Sequence, residues 1–195
     1  MNIANAAQHY LNELKETLDN FNLQQVEKIV NFILRAYEDE KQIFIMGNGG
    51  SASTASHFAC DLNKGCCSDL EKKIKMICLN DNIPTLLAFA NDVSYDVVFV
   101  EQLKNLFHPG DLVIGISGSG NSENVIKAIE HAKQNKGKTI GFSGFSGGKL
   151  AQMVDVPFVA QVYDMQKVED CHVILVHVIM QYIYSALHPG LRGPK

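Results

Sequence analysis

Five short apolar runs separated by segments of helical spacing constrain this chain more than any other feature. The runs are Ile43–Met46, Ile74–Leu79, Leu112–Ile116, Thr139–Phe142 and Val156–Ala160. Each is too short for a helix, and most lack polar alternation, which is the pattern of strands buried on both faces of a parallel sheet. Helical candidates lie between them at Ser53–Leu62, Ile83–Ala90, Tyr95–Leu106, Glu123–Asn135 and Gly148–Val154. A last long helix runs from about Lys167 to Ala186 and is stopped by Pro189-Gly190. Two further helices precede the first strand, near Ala4–Phe21 and Leu23–Glu38. In the second, Val26, Ile29, Val30, Ile33, Leu34 and Tyr37 form one stripe. Alternation of this kind predicts an α/β fold, a doubly wound, five-stranded parallel sheet flanked by helices with an N-terminal helical pair. Ligands are then expected beyond the carboxyl ends of the strands.

Two loops stand where that rule places a site. The run ending at Ile116 enters Ser117-Gly118-Ser119-Gly120-Asn121-Ser122 and then a helix. Backbone N–H groups, serine hydroxyls and the positive end of the helix dipole converge there, which makes an anion site. With no Lys or Arg in the loop, the expected guest is the phosphate of a small-molecule monoester. The first run repeats the device, passing through Gly47-Asn48-Gly49-Gly50-Ser51 into a helix. Clustered glycines let backbone approach a ligand closely. A tight βα turn made for packing alone accounts for one such loop more easily than for two. Neither loop has the GxGxxG or GKS/GKT pattern of dinucleotide or Walker-type sites.

Composition narrows the partners. With 195 residues, 46% of them hydrophobic, one domain over residues 1–195 is expected to bury a full core. The formal net charge of -4 argues against a nucleic-acid or acidic-membrane surface. No apolar run is expected to span a membrane, and Met1-Asn-Ile-Ala-Asn-Ala has no signal-peptide core. Five cysteines, including the adjacent Cys66 and Cys67, suit a reducing cytoplasm better than a disulfide framework.

Chemistry is suggested by histidines and carboxylates. His57 and Asp61 stand four residues apart, on one face of the helix that leaves the first loop. The closing helix adds Glu169, Asp170, His172 and His177 to an otherwise apolar segment. An imidazole among aliphatics needs a partner or a role. Satisfied core histidines at 172 and 177, and a surface ion pair at 57 and 61, are the competing structural readings. Together, these groups suit general acid/base chemistry or a divalent metal, with zinc the expected ion. Glu169 and His177 are separated by about 12 Å along an ideal helix. An ion shared by both requires a frayed helix start, a long side-chain reach, or a ligand from another subunit.

These motifs carry a family resemblance. Gly47-Asn-Gly-Gly-Ser-Ala-Ser53 with His57-Phe58, then Ala90-Asn91-Asp92, then Gly115 through Ser122 with Val125-Ile-Lys-Ala128, and the late His-rich helix resemble the sugar isomerase (SIS) family. Within it the chain is most similar to phosphoheptose isomerases, which convert sedoheptulose 7-phosphate into D-glycero-D-manno-heptose 7-phosphate. The resemblance implies substrate contacts at Asn48, Gly49, Gly50 and Ser51, an Asn91-Asp92 substrate pair, and a phosphate cradle of Ser117, Gly118, Ser119 and Ser122. It further implies metal binding by His57 and a late catalytic, metal-binding histidine at His177. Where the family has a glutamate and a late glutamine, this chain has Asp61 and Glu169, so the metal set to test is His57, Asp61, Glu169 and His177, with about one zinc per subunit. Aldose–ketose isomerisation moves a proton between neighbouring carbons through an enediol. Asp61 and His177 are the expected acid/base pair, with Glu169 as the reserve base and a further substrate contact. A homotetramer using the helices of residues 1–40 is implied as well. Alternatives are an isomerase for a different sugar phosphate and a non-catalytic module, because the family includes a relative that binds the replication initiator DnaA.

Overall fold

A computed structural model describes residues 2–190; Met1 and residues 191–195 lie outside the described residues. The element order is α1 (Ile3–Asp19), α2 (Leu23–Glu38), β1 (Gln42–Gly47), α3 (Gly50–Cys60), β2 (Lys75–Cys78), α4 (Ile83–Asp92), α5 (Val100–Leu106), β3 (Leu112–Ile116), α6 (Glu123–Gln134), β4 (Lys138–Gly144), α7 (Gly148–Met153), β5 (Val156–Ala160) and α8 (Met165–Leu187). The five strands form one all-parallel sheet in the order β2-β1-β3-β4-β5. Strand order reverses between β1 and β3, and Gly47 lies in register with Ile116. The two glycine-rich loops therefore leave the sheet side by side at its topological switch point, where open α/β sheets bind ligands.

Strand pleating divides the core. Ile43 and Ile45 of β1 join one cluster with Ile29 and Ile33 of α2, Phe58 of α3, and Leu175 and Ile179 of α8. Phe44 and Met46 point to the other face, against Val98, Phe99, Leu103, Val125 and Ile129. β2 departs from the expected two-sided burial. As an edge strand it buries Met76 and Cys78 and leaves Lys75 and Ile77 exposed.

Two helical expectations are corrected. Tyr95–Leu106 is not one helix but a 3-10 turn (Tyr95–Val97) followed by α5. The run Val97-Val98-Phe99-Val100 has weak helix propensity, and Val98 and Phe99 are fully buried instead. Beyond α3 the chain continues as a π-helical turn, Asp61–Cys66. Asn63 there pairs with the edge strand through both amide atoms, Nδ2 donating to the Met76 carbonyl at 2.8 Å and Oδ1 accepting its N–H at 3.2 Å.

α8 is long and apolar enough to cross a membrane by length and composition alone, contrary to the expectation that no run reaches that length. Here it packs against α2, α3 and the π turn as a core helix, with Val168, Cys171, Leu175, Val176, Ile179 and Ile183 buried.

Several apolar faces have no cover among the described residues. α4 buries no residue fully, and Ile83 and Leu87 on it, with Val93 and Tyr95 just after it, are exposed. α1 buries only Thr17. A groove of about 300 Å³ between α2 and α8 is lined by Leu23, Val26, Val30, Val178 and Tyr182.

Candidate active site at the switch point

The loop after β3 is shaped by its own hydrogen bonds. Ser117 Oγ lies 2.9 Å from Ser122 Oγ and accepts the Ser122 N–H at 3.3 Å, while Ser119 Oγ accepts the Asn121 N–H at 3.2 Å. Gly120 has φ +70, and a Cβ there would collide with the carbonyl of Gly147, so the turn requires glycine. Ser122 is the N-cap residue of α6 and makes no side-chain cap bond, so the start of that helix retains donors for a ligand.

The loop after β1 differs in having a side chain from another helix packed against it. Gly50 opens α3, and Gly49, in the N-cap position with φ +55, provides no side-chain cap. The carboxylate of Glu169, from α8, packs against Gly50. A Cβ built on Gly50 would stand 2.5 Å from both Glu169 oxygens. Each helix start thus has a carboxylate of the chain near it, Glu169 of α8 beside Gly50 of α3 and the exposed Glu123 in the first turn of α6. Asn48, Gly49, Gly50, Ser51, Ser117, Gly118, Ser119, Ser122 and Glu169 share one pocket of about 290 Å³ with Ile116 and Met165. Among the described residues, no Lys or Arg lines it.

A second cluster lies further along the same two helices. His57 Nε2 and His177 Nε2 are 2.8 Å apart, and Asp61 Oδ2 is 3.3 Å from the first and 4.0 Å from the second. The two rings meet edge to face. Ligands held about 2.0–2.1 Å from a tetrahedral zinc stand roughly 3.3–3.4 Å from one another, so this trio of two imidazoles and a carboxylate could hold a divalent ion and leave a position open.

Comparison with known proteins identifies the family. Residues 9–144 match the SIS domain family. The phosphoheptose isomerase of Aquifex aeolicus is 34% identical over 171 residues, covering 88% of this chain and 89% of that one. The Helicobacter pylori phosphoheptose isomerase is 37% identical over 161 residues, covering 82% of this chain and 83% of its own. The solved phosphoheptose isomerase of Neisseria gonorrhoeae superposes with a TM-score of 0.85 at 28% identity, over 93% of this chain and 98% of that one. The chain belongs to the SIS-domain family, among the phosphoheptose isomerases.

Not every expected residue of this SIS domain falls in one place. Glu169, expected among the metal ligands, stands apart from the trio within one chain. Its carboxylate is beside Gly50, and His57 is seven residues, or about 10.5 Å, further along α3. Asn91 and Asp92 are exposed at the end of α4 and bond to each other at 2.7 Å, outside the pocket lining. His172 is a core histidine, 1% exposed, with Nε2 3.1 Å from the Ser143 carbonyl, and burial pushes its pKa down to about 4. Sequence reasoning missed Met165, whose sulfur packs over Gly118, and the pair Asn124 and Tyr95, which bond to Asn48. An asparagine in a first helical turn and a tyrosine after an apolar helix carry no periodic signal. Only the meeting of three distant segments gives them a role.

Proposed function

We propose that this chain is an aldose–ketose isomerase that converts sedoheptulose 7-phosphate into D-glycero-D-manno-heptose 7-phosphate through an enediol. The observation that carries the reading is the division of labour between the two loops. Glu169 lies against Gly50 of the loop after β1, so we assign the phosphate to the serine-rich loop after β3, with the sugar chain directed toward that carboxylate. Anchoring the inert end supplies remote binding energy to orient the reacting carbons.

Glu169, which shares the pocket with the phosphate loop, takes the proton from one carbon and returns it to the next. His177 and Asp61 are assigned to the carbonyl end of the substrate, Asp61 lying 3.3 Å from His57 Nε2 and 4.0 Å from His177 Nε2 in the same cluster. A divalent ion on His57, Asp61 and His177, zinc by the donor set, would polarise that carbonyl when bound. Asn91 and Asp92 are assigned to the substrate hydroxyls.

Within one chain Glu169 and the trio lie about two helical turns apart. We therefore assign completion of the site to a neighbouring copy in a homotetramer that covers α1, α4 and the α2–α8 groove. Five free thiols, four of them buried, support a reducing cytoplasm as its compartment.

The direct test is an NMR time course with sedoheptulose 7-phosphate, in which signals of the aldose product are expected to grow. Binding without conversion would replace the enzyme reading with a sugar-phosphate-binding module. For the assembly, mixed tetramers of Glu169→Gln and His177→Ala subunits are expected to regain activity that neither has alone. No recovery, or a fully active monomer in sedimentation, would overturn it.

A further inference from the structure

Asn124, in the first turn of α6, is 2% exposed and forms a reciprocal amide pair with Asn48. Asn48 Nδ2 donates to Asn124 Oδ1 at 2.9 Å, and Asn124 Nδ2 donates to Asn48 Oδ1 at 3.0 Å. Each oxygen takes a second bond. The Tyr95 hydroxyl donates to Asn48 Oδ1 at 2.8 Å, and the Val125 N–H donates to Asn124 Oδ1 at 3.0 Å. The acceptor capacity of both amides is thus filled inside the protein, so Asn48 meets a ligand through its backbone or its one remaining N–H.

The three residues come from three parts of the site. Asn48 belongs to the loop after β1, Asn124 is the second residue of the helix that follows the Ser117–Ser122 loop, and Tyr95 comes three residues after Asp92 in the α4–α5 connection. No backbone hydrogen bond joins the Gly47–Ser51 loop to the Ser117–Ser122 loop among the described residues. The amide pair is the direct polar link between them. A cyclic pair sets distance and orientation together, because displacing either amide breaks two bonds at once and leaves a buried group unsatisfied.

We propose that Asn124 and Tyr95 are positioning residues for the isomerisation. The Asn48–Asn124–Tyr95 hub holds the two loops in one register, so that a sugar anchored by its phosphate on the second loop meets the first loop and Glu169 in reacting geometry. The proposal rests on the functional reading above, from which it takes the phosphate anchor.

Tyr95→Phe removes a single oxygen from a side chain that is 58% exposed, so the fold is not at risk. Asn124→Ala removes the pair itself. Both are compared with the unaltered full-length chain by turnover of sedoheptulose 7-phosphate, by competition with inorganic phosphate, and by hydrogen exchange of the peptide covering residues 47–52. A register error of a fraction of an ångström is expected to lower kcat about tenfold in Tyr95→Phe and further in Asn124→Ala, with the phosphate inhibition constant within about twofold. Exchange at residues 47–52 is expected to rise in both without ligand. A purely structural pair would instead lower the melting temperature and leave kcat intact, and that outcome, or unchanged exchange in Tyr95→Phe, overturns the proposal. If the unaltered chain converts no sugar phosphate, the functional reading fails separately, and the exchange measurement still decides whether the hub holds the loops. Should Asn124→Ala not fold, Tyr95→Phe alone decides.

Discussion

Gly50→Ala moves Glu169 without removing it, and its effect can be worked from the structure. The new Cβ would stand 2.5 Å from both carboxylate oxygens and 2.6 Å from the carbon that bears them, whereas ordinary contact begins at 3.4 Å. The carboxylate must therefore retreat by roughly 0.9 Å, the difference between those two distances. The obstacle is the far end of a flexible side chain, so the backbone need not shift. Gly50 is helical with no positive φ, where alanine is favoured by about 0.8–1 kcal/mol over glycine in a helix interior and by less at an end. Stability is thus expected to hold or rise slightly. A misplacement near 1 Å costs about a hundredfold in rate, or about 2.7 kcal/mol of barrier. The expected result is a kcat lower by about 10–100-fold, an almost unchanged inhibition constant for inorganic phosphate, and a melting temperature no lower than that of the unaltered chain. Glu169→Gln, which keeps the size and removes the base, should lose at least as much. Steady-state kinetics and thermal melting of both variants make the assay. A well-folded Gly50→Ala protein with kcat within about twofold of normal would refute the placement of Glu169 at the reacting carbons.

Other expectations follow from the remaining parts of the molecule. Elemental analysis should find about one divalent ion per chain, as the donor set of the trio implies. His57→Ala and His177→Ala should lose it on dialysis; metal retained in both would remove the trio from that role, and metal-free protein turning over normally would make the ion non-catalytic. His172 should make the fold acid-sensitive. Its pKa is depressed in the folded state, so its contribution is fully present above about pH 6.5 and is lost as pH falls toward 4, by about 3 kcal/mol at the limit. Urea titrations from pH 7 to 4 should show a shallower acid loss in His172→Phe, and parallel curves would contradict the assignment. His188 acts in the opposite sense over its own range, since the Tyr184 carbonyl and Asp69 raise its pKa and favour its charged form.

The local sequence determined the elements and the serine- and glycine-rich loop after β3 because both depend on short-range physics. Apolar runs of four to six residues, as in Leu112–Ile116, can bury two faces only as strands of a covered parallel sheet. Serines and glycines between such a strand and a helix present donors wherever the fold carries them. The i,i+4 spacing likewise sets His57 beside Asp61 without any tertiary contact. Long-range packing decided the rest. Glu169 and His177 share a helix, yet one reaches the start of α3 and the other its end, because α3 and α8 run side by side and a helix advances 1.5 Å per residue. The strand order that sets β1 beside β3 brings Asn48 to Asn124 across 76 positions in sequence. No periodicity encodes that meeting, since it depends on which strands pair and not on what either segment prefers alone.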